Sequence, residues 1–127
     1  MPEPTIAILG ASPDRLKFGN KAVRAYRQKG YDVYPVNPKG GEIEGLVASR
    51  SLAEVPAAHL NRISVYLPPA VLLNVLDDIA AKGCDELWLN PGCDTPEVIA
   101  KAQQLGLNVV AACSIVAIGI SPSELPG

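Results

Sequence analysis

The run Thr5-Ile6-Ala7-Ile8-Leu9, followed at once by Gly10-Ala11-Ser12, constrains this chain more than any other stretch. A short, almost wholly apolar segment without polar alternation reads as a strand buried on both faces, as in a parallel sheet. A glycine and two small residues directly behind it let the backbone approach a bound phosphate closely. The chain therefore begins with a central strand and a loop fit for an anion, and the remainder is read against that strand.

Strands and helices then alternate. Gly19-Asn20 predicts a helix start with Asn20 as the cap, running to Lys29 with Ala22, Val23 and Tyr26 inward and Gly30 as the stop. Tyr31–Val36 is the second strand, with pairing expected to end at Pro35. Residues 42–50 are irregular, with a short strand near Leu46–Ala48. Ser51-Leu52-Ala53-Glu54 begins no more than a helical turn before Pro56. Arg62–Leu67 is the third main strand. Ala70–Lys82 is a helix with Val71, Leu72, Val75, Leu76 and Ile79 on one stripe. Glu86–Leu89 is the fourth strand, Asp94 caps the next helix ahead of Pro96, and Leu107–Ala111 is the fifth strand. Short connections between alternating elements predict an α/β fold: a doubly wound, mainly parallel sheet of five to six strands with helices on both faces. The strand order expected is 3-2-1-4-5 or a close variant, within one domain over residues 1–127 whose C-terminal tail is 119–127.

Charge narrows the partners. The net charge is −2, but residues 1–39 carry +4 and residues 40–127 carry −6. A positive half on a mildly acidic protein suits one localised anion and argues against nucleic acid. The bland alternative for Lys21, Arg24 and Lys29 is a solvated helix face. Cys84, Cys93 and Cys113 have no CxxC spacing, and with a single histidine no metal site is expected. An odd number of thiols and no signal-peptide pattern in Met1-Pro2-Glu3-Pro4 point to a reduced, cytoplasmic setting. No apolar run approaches the roughly 20 residues of a membrane helix.

In such a sheet, ligands bind beyond the carboxyl ends of the strands, near the switch point beside strand one. There the chain delivers Gly10-Ala11-Ser12, Asn37-Pro38-Lys39-Gly40-Gly41, Leu67-Pro68-Pro69, Asn90-Pro91-Gly92 and Ala112-Cys113-Ser114. A GxGxxG fingerprint anchored at Gly10 would need glycines where Ser12 and Arg15 stand. An NAD site generally has an acid at the end of strand two. Asn37 and Lys39 occupy that place, which favours a phosphorylated ribose or a pyrophosphate, with Lys17 as a second cation. Solvent exposure is the plain alternative for Lys39. Pro68-Pro69 offers a rigid apolar wall for an adenine ring, or simply ends a strand and starts a helix. Asn90-Pro91-Gly92 is a turn first and a ligand contact second.

Gly10-Ala11-Ser12, Val36-Asn37-Pro38-Lys39-Gly40-Gly41, Val65-Tyr66-Leu67-Pro68-Pro69 and Trp88-Leu89-Asn90-Pro91-Gly92, in that order, resemble the small stand-alone CoA-binding domain family. These are relatives of the N-terminal CoA-binding domain of the succinyl-CoA synthetase α subunit. The resemblance spans about residues 5–118. It implies a Rossmann-like fold holding coenzyme A by its nucleotide end. Gly10, Ala11 and Ser12 would then line the phosphates, Lys39 would meet a phosphate, and Leu67, Pro68 and Pro69 would flank the adenosine. At Asn90-Pro91-Gly92 the synthetase has a loop with an acid, which this chain lacks. The synthetase's phosphorylated histidine belongs to a second domain.

Candidates for catalysis are sparse. His59 precedes the third strand, away from the ligand edge, and reads as a surface residue. Cys113 and Cys93 lie on the right edge but read more simply as buried thiols. Asp94 reads as a cap. The expectation is a CoA- or acyl-CoA-binding protein without catalysis of its own. The alternatives are an NAD(P)-binding redox protein and a ligand-free scaffold whose apolar stretch Ile115–Ile120 docks on a partner or a second copy.

Overall fold

The computed structural model describes residues 3–127. Met1 and Pro2, part of the stretch read for a signal peptide, lie outside them. The elements are β1 (Thr5–Leu9), α1 (Phe18–Gln28), β2 (Asp32–Val36), β3 (Glu42–Ile43), β4 (Leu46–Val47), β5 (Arg62–Val65), α2 (Pro69–Lys82), β6 (Glu86–Leu89), α3 (Pro96–Gln104) and β7 (Val109–Ala111). Five strands form one parallel sheet in the order β2-β1-β5-β6-β7. The Rossmann-like α/β class is as expected, but the order among the five main strands is 2-1-3-4-5 and not 3-2-1-4-5. Strand β5 returns past β2 to pair with the free side of β1, so the winding reverses between β1 and β5. The sixth strand does not join the sheet. β3 and β4 pair only with each other, in a hairpin.

The core has two layers. On one face α2 and α3 pack Leu72, Leu76, Ile79, Val98 and Ala102 against Ala7, Leu9, Ile63, Val65, Leu87 and Leu89. On the other, α1 packs Ala22, Val23, Ala25 and Tyr26 against Ile6, Ile8 and Val33. The chain end completes that second layer, because Ile115, Ile120 and Leu125 are all buried in it. The apolar stretch Ile115–Ile120 is therefore anchored in the core by its two ends and partly by Ile118, while Val116, Ala117 and Gly119 are exposed.

Three local expectations are corrected. Asn20 does not cap α1; it lies within the first turn, fully buried, and Lys17 takes the cap position with no side-chain bond. Thr95, not Asp94, caps α3 by accepting from Val98 N at 3.3 Å. Asp94 instead accepts from Gly92 N. Pairing does not stop at Pro35, which sits opposite Ile8. Asp32 N points at Pro4 O on the β1 side, and Pro35 O accepts from Ser49 N on the outer side. The missing N–H of Pro35 thus falls on the sheet edge, where proline is tolerated.

Deleting residues 114–127 removes three buried apolar side chains, Ile115, Ile120 and Leu125, which contribute on the order of 5 kcal/mol. That is comparable to the total stability of a small domain. Urea unfolding followed by far-ultraviolet circular dichroism is expected to show a chain that no longer unfolds cooperatively.

Candidate functional site

The carboxyl edge is organised by two glycines. Gly10 has φ +86°, and a Cβ there would lie 2.2 Å from Tyr66 O; a Cβ on Gly19 would lie 2.1 Å from Gly10 O. β1, the turn after β5 and the first turn of α1 therefore touch backbone to backbone. Gly19 gives the close helix–strand packing sought at positions 12 and 15, because the loop here is longer than in a dinucleotide fingerprint.

That loop is ordered from within. Ser12 Oγ accepts from Asp14 N, Asp14 Oδ1 from Leu16 N, and Asp14 O from Lys17 N. Ser12 keeps its own O–H as a donor. Asn20 Nδ2 holds Ser12 O at 2.9 Å and Glu44 Oε2 at 3.1 Å, and Arg15 pairs with Glu44 Oε1. Glu44 reaches them from the tip of the β3–β4 hairpin, where it adopts φ 50° ahead of Gly45 at φ 79°. Two consecutive positive φ values are the signature of a tight hairpin turn. The Asn20 amide, and then the Arg15 guanidinium, hold the Glu44 carboxyl below its ordinary value of 4.5.

The helix N-termini differ across the sheet. α3 is capped by its own Thr95, whereas α1 and α2, which start beside the switch point, have no side-chain cap. Their first-turn N–H groups and the positive end of the helix dipole face the edge where an anion would lie.

The cations divide in the same way. Arg15, Lys21, Arg24, Arg27, Arg62, Lys82 and Lys101 are each bonded to protein acceptors. Arg24, for example, bonds Asn20 Oδ1, Arg15 O and Pro126 O. The helix-face basic residues thus serve mainly to tie the first loop, the hairpin and the chain end together. Among the described residues, Lys17, Lys29, Lys39 and Arg50 make no side-chain hydrogen bond or ion pair. Lys29 follows α1 at the far edge. Lys17, Lys39 and Arg50 stand at the carboxyl edge.

Two hollows flank the centre. A cleft of about 160 Å³ is bounded by Leu9 and Gly10, by Val36 and Pro38, by Arg50 to Leu52, and by Leu67 and the α2 side chains Val71, Val75, Asp78 and Ile79. It exists because β2 and β5 are joined by a hairpin and a 3-10 turn at Leu52–Glu54 and not by a covering helix. A second, apolar hollow of about 280 Å³ lies beside Phe18, Tyr66, Asn90, Pro91, Cys113 and Pro122.

The structure brings Gly10, Pro38 and Leu67 together in the first cleft, with Ala11, Ser12 and Lys17 in the adjoining loop. Lys39 is exposed next to Pro38, and Asn37 ties its loop to the first by donating to Ala11 O at 2.9 Å and accepting from Lys39 N. Pro68 and Pro69 do not line the cleft; α2 supplies that wall. Asn90 is buried and committed to the protein, donating to Ser64 Oγ and Val65 O and accepting from Ser114 N. Gly92 is exposed in its turn. His59 pairs with Asp85 at 3.0 Å beneath the opposite edge. The Cys93 thiol donates to Leu67 O at 3.2 Å, and burial raises its pKa. Arg50 has no place in the sequence reading of the site, which takes Gly19 as a helix start and Val71 and Val75 as part of a core stripe. Counting charge by chain halves placed Arg50 in the acidic half, whereas topology puts it at the basic edge. The visible signal for the wall was a stripe on α2 wider than a core needs.

A Rossmann-like α/β class with a basic carboxyl edge is what the reversed parallel sheet, the glycine contact and the cations there define. Residues 4–119 match the CoA binding domain family, and this chain belongs to it. It is 30% identical over 79 residues to the α subunit of an ADP-forming acetate–CoA ligase II of Pyrococcus furiosus; the match covers 61% of this chain but only 17% of that subunit. A conserved hypothetical protein of Pyrococcus furiosus aligns at 33% identity and TM-score 0.81, over 90% of this chain and 98% of its own. A Thermus thermophilus protein aligns at 33% identity and TM-score 0.82, over 90% and 87%. No helix among the described residues is long and apolar enough to cross a membrane.

Replacing Gly19 by alanine is expected to destabilise the fold by about 2 kcal/mol or more, since neither backbone can yield to the new Cβ; urea denaturation measures it. Glu44 has a lowered folded pKa, so its stabilising contribution is complete above pH 4.5 and disappears as pH falls through the folded value. Glu44→Gln is expected to flatten the acid limb of the stability–pH curve and leave the curve's shape near neutrality unchanged.

Proposed function

We propose that this protein binds coenzyme A or an acyl-CoA by its nucleotide end at the carboxyl edge of the sheet, without catalysing a reaction by itself. The observation that carries this reading is that cations without a protein partner among the described residues stand along the carboxyl edge, Lys17 at the uncapped start of α1 and Lys39 in the loop after β2. Gly10, Ala11, Ser12 and Lys17 meet the pyrophosphate, with the helix N–H groups behind them. Asn37, Pro38 and Lys39 stand on the ribose side. Leu67, with Pro68 and Pro69 fixing its turn, flanks the adenosine in the cleft. Asn90 and Gly92 shape the far wall past which the pantetheine arm runs. The ligand is a small molecule and the setting is the reducing cytoplasm. A homodimer or protein partner would be compatible with the free β7 edge.

Calorimetric titration of ligand-free protein with coenzyme A, NAD and NADP tests this. Saturable binding of coenzyme A is expected, weakened about tenfold or more in Lys39→Glu, the range of a lost charged hydrogen bond. Binding of NAD or NADP alone would favour a redox protein. No binding of any of them would favour the ligand-free scaffold.

A further inference from the structure

Of the three uncommitted cations at the carboxyl edge, Arg50 alone lines the cleft. It is reached by an unusual route. The segment after the β3–β4 hairpin folds back along the outside of β2, where Val36 bridges Ser49. Ser49 N donates to Pro35 O at 3.0 Å, and Asn37 N donates to Ser49 O at 2.9 Å. Backbone bonds on both sides of Ser49 thus fix where Arg50 leaves the chain. Its side chain then lies over Gly40: a Cβ on Gly40 would be 3.1 Å from Arg50 Nε and 3.3 Å from Cγ. Gly40 has φ +65°, so its lack of a side chain serves both the turn and the arginine. Lys39 is adjacent in sequence to that contact. The opposing α2 wall bears Asp78, whose carboxylate disfavours an anion on its own side.

We infer that Arg50 is a specificity-determining cation which, with Lys39, reads the phosphate on the adenosine ribose and so separates a 3′-phosphorylated nucleotide from its dephosphorylated counterpart. This rests on the proposed binding of coenzyme A and adds the residue that selects among adenine nucleotides. The geometry suits an arginine. A planar guanidinium offers paired donors to a phosphate, and packing of the Arg50 stem and Nε against Gly40 holds it at the cleft. The 3′-phosphate carries the charge that distinguishes the two ligands, so a cation reading it acts on one of them alone.

The test compares coenzyme A with dephospho-CoA, and adenosine 3′,5′-bisphosphate with AMP, on wild type, Arg50→Gln and Gly40→Ala. Wild type is expected to prefer the 3′-phosphorylated member of each pair by about tenfold or more. Arg50→Gln should abolish most of that preference and leave dephospho-CoA affinity unchanged. Gly40→Ala should move in the same direction by displacing the side chain. Thermal melting of Arg50→Gln should match wild type, since an exposed, unpaired side chain is removed. An equal loss for both ligands, or no loss, overturns the role of Arg50 while coenzyme A binding stands. Failure of wild type to bind coenzyme A overturns both.

Discussion

Three stretches of backbone meet at Gly10 with no space for a side chain on either glycine involved. The carbonyl of Tyr66 closes one side and Gly19 the other, while Tyr66 N donates to Leu9 O at 2.8 Å. Helix α1 is thereby seated on the end of β1, and the turn into α2 is drawn against the same point. Both uncapped helix starts then converge on a single location, and the loop between them has no freedom to wander. Without this contact the edge would hold the same residues but no common focus for them.

Beneath that focus lies a polar network that fixes the floor. Asn90 on the β6 loop bonds Ser64 on β5 and Ser114 after β7; Ser114 Oγ meets Ser64 Oγ at 2.7 Å and Tyr66 Oη at 3.2 Å; Tyr26 of α1 donates to Ser114 O at 2.7 Å. Among the described residues no fully buried side-chain nitrogen or oxygen lacks a partner. A satisfied buried network is rigid because each broken bond leaves a desolvated group unpaired. The Asn90 side chain, which the sequence places on the ligand edge, is part of this floor.

How much could be read in advance depended on whether a feature is local. The strands, the helix spans and the glycine stops follow from periodicity and turn chemistry, and they were legible. The start of α1 was not, because Asn20 has the composition of a cap but is drawn inward by Ser12 O and Glu44, a contact made across 24 residues. Asp94 and Thr95 are both good caps, and only the backbone decides between neighbours. Strand order is likewise non-local: nothing in β5 states which flank of β1 it takes. At the site, the loops after β1 and β2 were found from motif and position. Arg50 was hidden because the hairpin's return path, not its sequence neighbourhood, brings it to the edge.

A gradient of polarity runs along that edge. At the β2 end stand Lys39 and Arg50, and over the centre Lys17 and a helix dipole. At the β6 end the second hollow is bounded by Phe18, Tyr66, Asn90, Pro91, Cys113 and Pro122, none of which carries a formal positive charge. Burial pushes the Tyr66 phenol up to about 12, so it stays neutral at neutral pH. A ligand matched to such an edge is polyanionic at one end and neutral at the other. Coenzyme A has that form, with a phosphorylated ribose, a pyrophosphate and then an uncharged thiol-ended arm. A dinucleotide, whether or not its adenosine ribose is phosphorylated, ends in a second polar nucleoside, which would have to displace water from its hydroxyls beside apolar walls. The desolvation of unpaired polar groups opposes that arrangement, so the neutral end of the edge supports the proposed ligand as much as the basic end does.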